Sequence, residues 1–171
     1  MKKQKPLVGV SQCLLGDAVR YDGASKANQI VLKKLSQLFE LVAVCPEVEA
    51  GLSVPRPPVQ LTGSIEQPRL TGRDDPAIDV SDIMQHYCHA KPAALKHLSG
   101  FIFKSQSPSC GLNSTPVFIN GLCVSENSRG VFARAMCQTY PDLAVIEDNE
   151  LDKTTALNKF IDQITSKHPD Q

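Results

Sequence analysis

Three cysteines of this 171-residue chain each stand just after a short apolar run. They are Cys13, Cys45 and Cys110. Each run is typical of a buried β-strand, because it is brief, rich in apolar residues and ends at polar or turn-forming residues. A free cysteine is commonly buried as a small hydrophobe, so a cysteine in a polar, turning segment such as KSQSPSCGLNS (residues 104–114) suggests a chemical role.

The spacings between these cysteines, 32 and 65 residues, match no zinc-finger or ferredoxin pattern, so the inference depends on their strand-end positions. Three thiolates at one crevice favour a soft metal centre, either zinc or an iron–sulfur cluster, over magnesium or calcium. No fourth cysteine follows a strand, which suggests an open coordination position that could bind substrate. The remaining cysteines are interpreted as packing residues: Cys88, Cys123 and Cys137.

The elements between these cysteines predict an α/β fold. Apolar runs at 7–10, 41–44, 101–103 and 143–146 predict strands, and helical periodicity predicts helices at 25–39, 78–98, 131–139 and 151–166. Ser25 is the predicted N-cap of the first helix, and Pro92 should break or kink the second. We therefore expect a single-domain three-layer sandwich over residues 1–171, with a mainly parallel central sheet.

Two segments depart from this alternation of strands and helices. Residues 117–124 predict a short hairpin around Asn120-Gly121, which is a favoured two-residue turn. Residues 51–75 are rich in Pro, Gly and Arg and predict a functional loop or small hairpin. In open α/β sheets, ligands bind outside the carboxyl ends of the strands, so the three cysteines are expected to face the binding crevice.

Composition narrows the class of partner and the compartment. Eighteen basic and eighteen acidic residues cancel, which favours a small-molecule ligand and disfavours nucleic acid without excluding it. No run is apolar enough for a signal peptide or a membrane helix, so we expect a cytoplasmic protein without membrane contact. Disulfides are not expected in that compartment. The sequence leaves the oligomeric state open.

Three segments together resemble the bacterial thiouracil desulfidase family, long described as a domain of unknown function. They are VGVSQCLLGDAVRYDG, VAVCPEVEAGLSVPRPPVQLTG and FIFKSQSPSCG. The resemblance implies a [4Fe-4S] cluster with three cysteine ligands, which here are Cys13, Cys45 and Cys110, and one open iron. The implied substrate is a thiolated pyrimidine, whose sulfur would bind the open iron.

The resemblance also implies two catalytic residues, Glu47 and a serine of the third segment, for which Ser107 is the first candidate. Glu47 is two residues from Cys45, close enough to face the same crevice and to act on water as a general base. Ser107 could hydrogen-bond a ring carbonyl or the water. Ser105 and Ser109 compete for that role, and Ser109 is assigned here to substrate binding.

Further substrate-binding candidates are in the first and second segments. Arg20, Tyr21 and Asp22 are expected to form the near wall of the pocket, with Tyr21 stacking on the base and Asp22 accepting from a ring N–H. Arg56 lies between two prolines on a stiff extended segment and could bind a nucleotide phosphate.

The principal hypothesis is an iron–sulfur desulfidase that replaces sulfur by oxygen in a thiouracil-type base, nucleoside or nucleotide and releases hydrogen sulfide. Two alternatives remain open at this stage. One is a zinc-dependent hydrolase that uses the same three cysteines. The other is a non-catalytic iron–sulfur or redox sensor. The metal content distinguishes the desulfidase from the zinc hydrolase. A coordination position that exchanges substrate would disfavour the sensor.

Overall fold

The structure, a computed structural model, describes residues 4–168 and contains eight strands and five α-helices within that range. The strands are β1 (Leu7–Ser11), β2 (Glu40–Val44), β3 (Val59–Gly63), β4 (Pro68–Gly72), β5 (Gly100–Phe103), β6 (Thr115–Ile119), β7 (Leu122–Ser128) and β8 (Ala144–Glu147). The helices are α1 (Ser36–Leu38), α2 (Pro46–Glu49), α3 (Ser81–Ala94), α4 (Val131–Thr139) and α5 (Thr154–Thr165). None of the helices in the described part of the chain is long and apolar enough to cross a bilayer.

The first sheet is parallel throughout, with strand order β2-β1-β5-β8. Its strands are the four predicted from apolar runs. β1, β5 and β8 are short and mostly buried, as expected for a sheet covered on both faces. In β2, at one edge of the sheet, only Val44 is buried. The three predicted strand-end cysteines therefore follow β1, β2 and β5, which are neighbours in this sheet.

Helices cover both faces of the first sheet. On one face, α5 and the helix that ends with α1 pack through Leu35, Phe39 and Phe160 against β1, β5 and β8. On the other face, α3 and α4 bury Phe132 and Met136 against the aromatic residues of β5. The mainly parallel α/β sandwich predicted from the sequence is confirmed.

A second sheet of four strands, in the order β4-β3-β6-β7, is built from the two segments that departed from the alternation. Residues 51–75 supply the antiparallel pair β3 and β4, and the predicted hairpin supplies β6 and β7. Asn120 and Gly121 have φ angles of 49° and 78°, as the predicted two-residue turn requires. The parallel pairing of β3 with β6 joins two segments far apart in sequence, so local patterns could not reveal it.

The first predicted helix begins later than expected. Asn28, not Ser25, caps it, because the Asn28 Oδ1 accepts hydrogen bonds from the backbone N–H groups of Ile30 (3.0 Å) and Val31 (3.2 Å). Helix α3 also differs from expectation, since it continues through Pro92 and ends at Ala94. Pro92 is in the last turn of α3, so the backbone hydrogen bond that its missing N–H cannot donate is lost only near the end of the helix.

Candidate active site

A cavity of about 790 Å³ lies at the carboxyl ends of the first sheet and is closed on one side by β3 and β6. This volume is within the range of small-molecule sites, roughly 300–1,000 Å³. The three strand-end cysteines all line it: Cys13, Cys45 and Cys110. The topology explains this meeting, because β1, β2 and β5 are parallel neighbours whose chains all leave the sheet at the same edge.

The thiols around this cavity are poorly solvated. Cys13 and Cys110 are buried and Cys45 is half-buried, and all three are free thiols. Burial raises the pKa of Cys13 to about 11 and is also the main cause of the raised pKa of Cys45 and of Cys110. For Cys110, the neighbouring Cys13 and Cys45 add to the increase in pKa.

The spacing of the potential ligands tests which metal group they could hold. Within residues 4–168, no three His, Cys, Asp or Glu side chains are gathered closely enough to bind a single metal ion. In an iron–sulfur cluster, each thiolate binds a different iron, so the cysteines stand farther apart around a larger body. Three sulfur donors distributed around one cavity fit a cluster better than a single zinc ion.

The loop that carries Cys110 is held by the start of α4. The N–H groups of Val131 and Phe132 donate to the carbonyl oxygens of Pro108 (3.0 Å) and Ser109 (2.9 Å). Gly130 packs so closely that a Cβ there would lie 2.6 Å from the Ser109 carbonyl group. The first turn of α4 therefore fixes the backbone direction at Cys110.

Ser107 shapes the same loop. Its Oγ accepts hydrogen bonds from the N–H groups of Cys110 (3.0 Å) and Ser109 (3.3 Å), and its carbonyl oxygen accepts from the Thr115 hydroxyl (3.0 Å). The Ser107 hydroxyl proton is not used in these contacts and remains available as a donor toward the cavity, which Ser107 lines.

Glu47 is in the first turn of α2 and is only 8% exposed. Its Oε1 accepts a hydrogen bond from the buried Ser109 hydroxyl (2.8 Å), and its Oε2 accepts from Arg56 Nε (2.7 Å). A carboxylate has about four lone-pair sites, so these two bonds leave capacity for a water in the cavity. Glu47 is thus an oriented carboxylate at the cavity wall.

Arg56, the predicted phosphate contact, is hydrogen-bonded within the protein. Besides Glu47, its guanidinium donates through Nη1 to the carbonyl oxygens of Val19 and Ser53, both at 3.1 Å. The side chain is 8% exposed. These contacts use three of the five guanidinium donors, those on Nε and Nη1, and they position Glu47. Arg56 also lines the cavity.

Of the three residues expected to form the near wall, two line the cavity. Arg20 and Tyr21 line it, and the guanidinium groups of Arg20 and Arg73 lie over the Tyr21 ring, 5.5 and 5.7 Å from its centre. Asp22 is not among the cavity-lining residues. It is exposed and caps its own turn by accepting from the Ala24 N–H (3.0 Å).

Arg20 carries a buried donor that no described group satisfies. Its Nε has no hydrogen-bond partner within residues 4–168, and the nearest carboxylate oxygen, on Asp22, is 3.5 Å away. A buried donor without an acceptor is costly, which makes this nitrogen a natural contact for a ligand oxygen.

Several polar residues of the cavity were not foreseen from the sequence, and two of them form an ion pair. Lys104 follows β5, Asp148 follows β8, and their side chains form an ion pair with Nζ and Oδ2 3.3 Å apart. The rule that selected the three cysteines, a reactive side chain just beyond a parallel strand, could have selected both. Sequence pattern alone did not show that they would meet.

The other three cysteines do not line the cavity. Cys88 is buried on α3 and Cys137 is half-buried on α4, in agreement with a packing role. Cys123 is exposed on β7, so the packing interpretation is wrong for it. It falls on the solvent side of a strand whose apolar residues are themselves largely exposed.

Comparison with known proteins gives three matches. A family model described as 2-thiouracil desulfurase matches residues 8–164. The "Uncharacterized protein YbbK" of Bacillus subtilis (strain 168) is 29% identical over 151 residues, which cover 85% of this chain and 97% of that protein. A solved structure described as "[4Fe-4S]-dependent thiouracil desulfidase TudS" is 25% identical, with a TM-score of 0.66 over 92% of this chain and 99% of that one.

Proposed function

This chain belongs to the 2-thiouracil desulfurase family, and from that premise we propose that it is a [4Fe-4S]-dependent, non-redox thiouracil desulfidase acting by hydrolysis. Its substrate would be a thiouracil-type base, nucleoside or nucleotide, and its products the oxygen analogue and hydrogen sulfide. The observation that carries the proposal is one cavity lined by three thiols and a buried, oriented carboxylate. The similarity to a [4Fe-4S]-dependent desulfidase supports the same cofactor.

The residues proposed to hold the cluster are Cys13, Cys45 and Cys110. Their sulfur donors suit iron–sulfur chemistry, and their separation suits a multi-iron group. When bound, the cluster would supply an open iron that acts as a Lewis acid toward the thiocarbonyl sulfur. The same separation disfavours the zinc hydrolase alternative, which needs its ligands around one ion.

The proposed reaction balances without an oxidant or reductant. The oxygen of a water molecule forms a bond to the ring carbon, the carbon–sulfur bond breaks, and the two water protons leave with sulfur as hydrogen sulfide. Glu47 would accept the first of these protons. We assign it to Oε1, because Oε2 is already bound to the Arg56 guanidinium at 2.7 Å.

The two serines receive different roles in this proposal. Ser109 holds Glu47 by donating to Oε1, and a buried donor of this kind fixes the direction in which the carboxylate faces the cavity. Ser107 retains a free hydroxyl proton and would donate to a ring carbonyl oxygen or to the water. Both serines depend on the loop that the start of α4 holds in place.

The wall that contains Arg20 and Tyr21 would orient the substrate. The Nε of Arg20, 3.5 Å from the Asp22 carboxylate, offers a donor to a ring or sugar oxygen, and Tyr21 offers an aromatic face or edge. Lys26 adds a positive charge to the lining, and Arg20 and Arg73 add two more that are paired with Asp22 and Asp74. This local excess of positive charge favours substrates that carry negative charge, such as a nucleotide.

The first experiment measures iron, acid-labile sulfide and zinc per chain after anaerobic purification. We expect about four irons and four sulfides, together with a change in the visible spectrum when 2-thiouracil is added. One zinc per chain, or no metal even after anaerobic reconstitution, would contradict the proposal. A cluster that does not respond to any thiolated pyrimidine would support the sensor alternative.

Variants then test the individual residues. Cys13→Ser, Cys45→Ser and Cys110→Ser should each lose cluster, whereas the exposed Cys123→Ser should keep it. Glu47→Gln should keep the iron and sulfide content but lose turnover, and Glu66→Gln at an exposed position should keep both. Full activity of Glu47→Gln would remove this glutamate from the mechanism.

A further inference from the structure

Lys104 is brought to the Cys13 side of the cavity by the parallel pairing of β1 and β5. Val10 pairs with Ile102, so the chain positions two residues farther along, at Gln12 and Lys104, leave the sheet side by side. The Lys104 N–H also donates to the Ser11 Oγ (2.9 Å), which ties the end of β5 to the end of β1. The backbone of Lys104 is therefore fixed beside the turn that carries Cys13.

The Lys104 ammonium is fully engaged by protein acceptors. Its Nζ lies 3.0 Å from the Ser105 carbonyl oxygen, 3.0 Å from the Ser105 Oγ and 3.3 Å from Asp148 Oδ2. An ammonium has three donors, so these contacts use its hydrogen-bonding capacity. Asp148 is itself held, because its Oδ1 accepts from the Ser105 N–H (2.6 Å). Lys104 acts as a fixed charge and does not need to donate to a ligand.

The Lys104–Asp148 pair lies at the cavity wall, where both residues and Cys13 are among the lining residues. The side chains of Lys104 and Asp148 are only 15% and 16% exposed. A charge shielded from solvent in this way is weakly screened, so it acts strongly across the cavity.

We infer that Lys104, held by Asp148 and Ser105, is a fixed cation that stabilises negative charge on the sulfur leaving the substrate. The inference rests on the proposed function, in which the departing sulfur carries charge as the carbon–sulfur bond breaks. A preorganised charge aimed at the place where charge develops needs no rearrangement during the reaction. Glu47 and Lys104 would then act at different walls of the same cavity, one on water and the other on sulfur.

The test compares Lys104→Gln, Lys104→Arg and Asp148→Asn with the wild type, each reconstituted anaerobically and matched in iron content. The readouts are the reduction potential of the cluster, which reports local charge, and kcat and KM for 2-thiouracil. Lys104→Gln should lower the potential and reduce kcat roughly tenfold or more, with a smaller effect on KM. Lys104→Arg should restore both, and Lys153→Gln, in an exposed ion pair, should change neither.

Asp148→Asn should shift the reduction potential of the cluster in the opposite direction to Lys104→Gln. Removing the negative partner should raise the potential, whereas removing the lysine charge should lower it. A merely structural role would move both variants in the same direction. The inference is overturned if the potentials do not respond, or if they shift together. A wild type that binds no cluster would refute the proposed function itself, which is a different result from a loaded cluster insensitive to Lys104.

Discussion

Replacing Arg56 by methionine should strongly destabilise the protein, because Glu47 would be left buried without its cation. The Arg56 and Glu47 side chains are 8% and 11% exposed, and Nε and Oε2 are 2.7 Å apart. Removing one partner of a buried pair costs roughly 3–5 kcal/mol. For a chain of this size, such a loss lowers the melting temperature by roughly 6–20 °C. The carbonyl oxygens of Val19 and Ser53 also lose a donor.

The assay is urea unfolding followed by circular dichroism, on samples of Arg56→Met and wild type matched in iron content. Arg69→Met is the control, because its ion pair with Asp79 is equally short, 2.6 Å, but solvent-exposed, so its midpoint should barely move. In the double variant Arg56→Met/Glu47→Gln, part of the loss should be recovered, with a coupling of about 0.5–3 kcal/mol. Additive effects, or equal losses in Arg56→Met and Arg69→Met, would refute the reasoning.

Two further predictions concern the loops around the cavity. Gly130→Ala should displace the peptide between Ser109 and Cys110, since the new Cβ would lie 2.6 Å from the Ser109 carbonyl group and 2.9 Å from the Cys110 nitrogen. Reduced iron content at unchanged helical circular dichroism would be the expected result, and wild-type iron content would contradict it. Asn28→Ala should lose about 1 kcal/mol of unfolding free energy through the lost helix cap, and Ser25→Ala should lose almost none. Equal effects of the two alanine substitutions would contradict the capping assignment.

Much of the fold followed from local patterns in the sequence. The four apolar runs became β1, β2, β5 and β8, and the helix at 131–139 has the predicted bounds. The resemblance to the thiouracil desulfidase family, inferred from three segments, is confirmed by the family match over residues 8–164. The single-domain assignment and the roles of individual site residues stay predictions.

The sequence predicted the two hairpins of the second sheet but not their pairing. Its two hairpins have local signals, Asn120-Gly121 in one and a Pro- and Gly-rich segment in the other, and short turns can be read from such signals. The pairing of β3 with β6 has no local signal, because it joins strands about 50 residues apart, which pack against α3 and the start of α4. The cavity wall formed by β3 and β6 is therefore a product of tertiary structure.

The sequence by itself determined where the three cysteines stand, because apolar runs define strands and parallel strands end at one edge of a sheet. Tertiary structure decided which side chains meet there. Ser109 and Glu47 are 62 residues apart in the chain, and the ion pair between Arg56 and Glu47 was not foreseen from the sequence. Such contacts depend on side-chain direction and on the competition among buried donors for acceptors, which are settled only when the loops pack together.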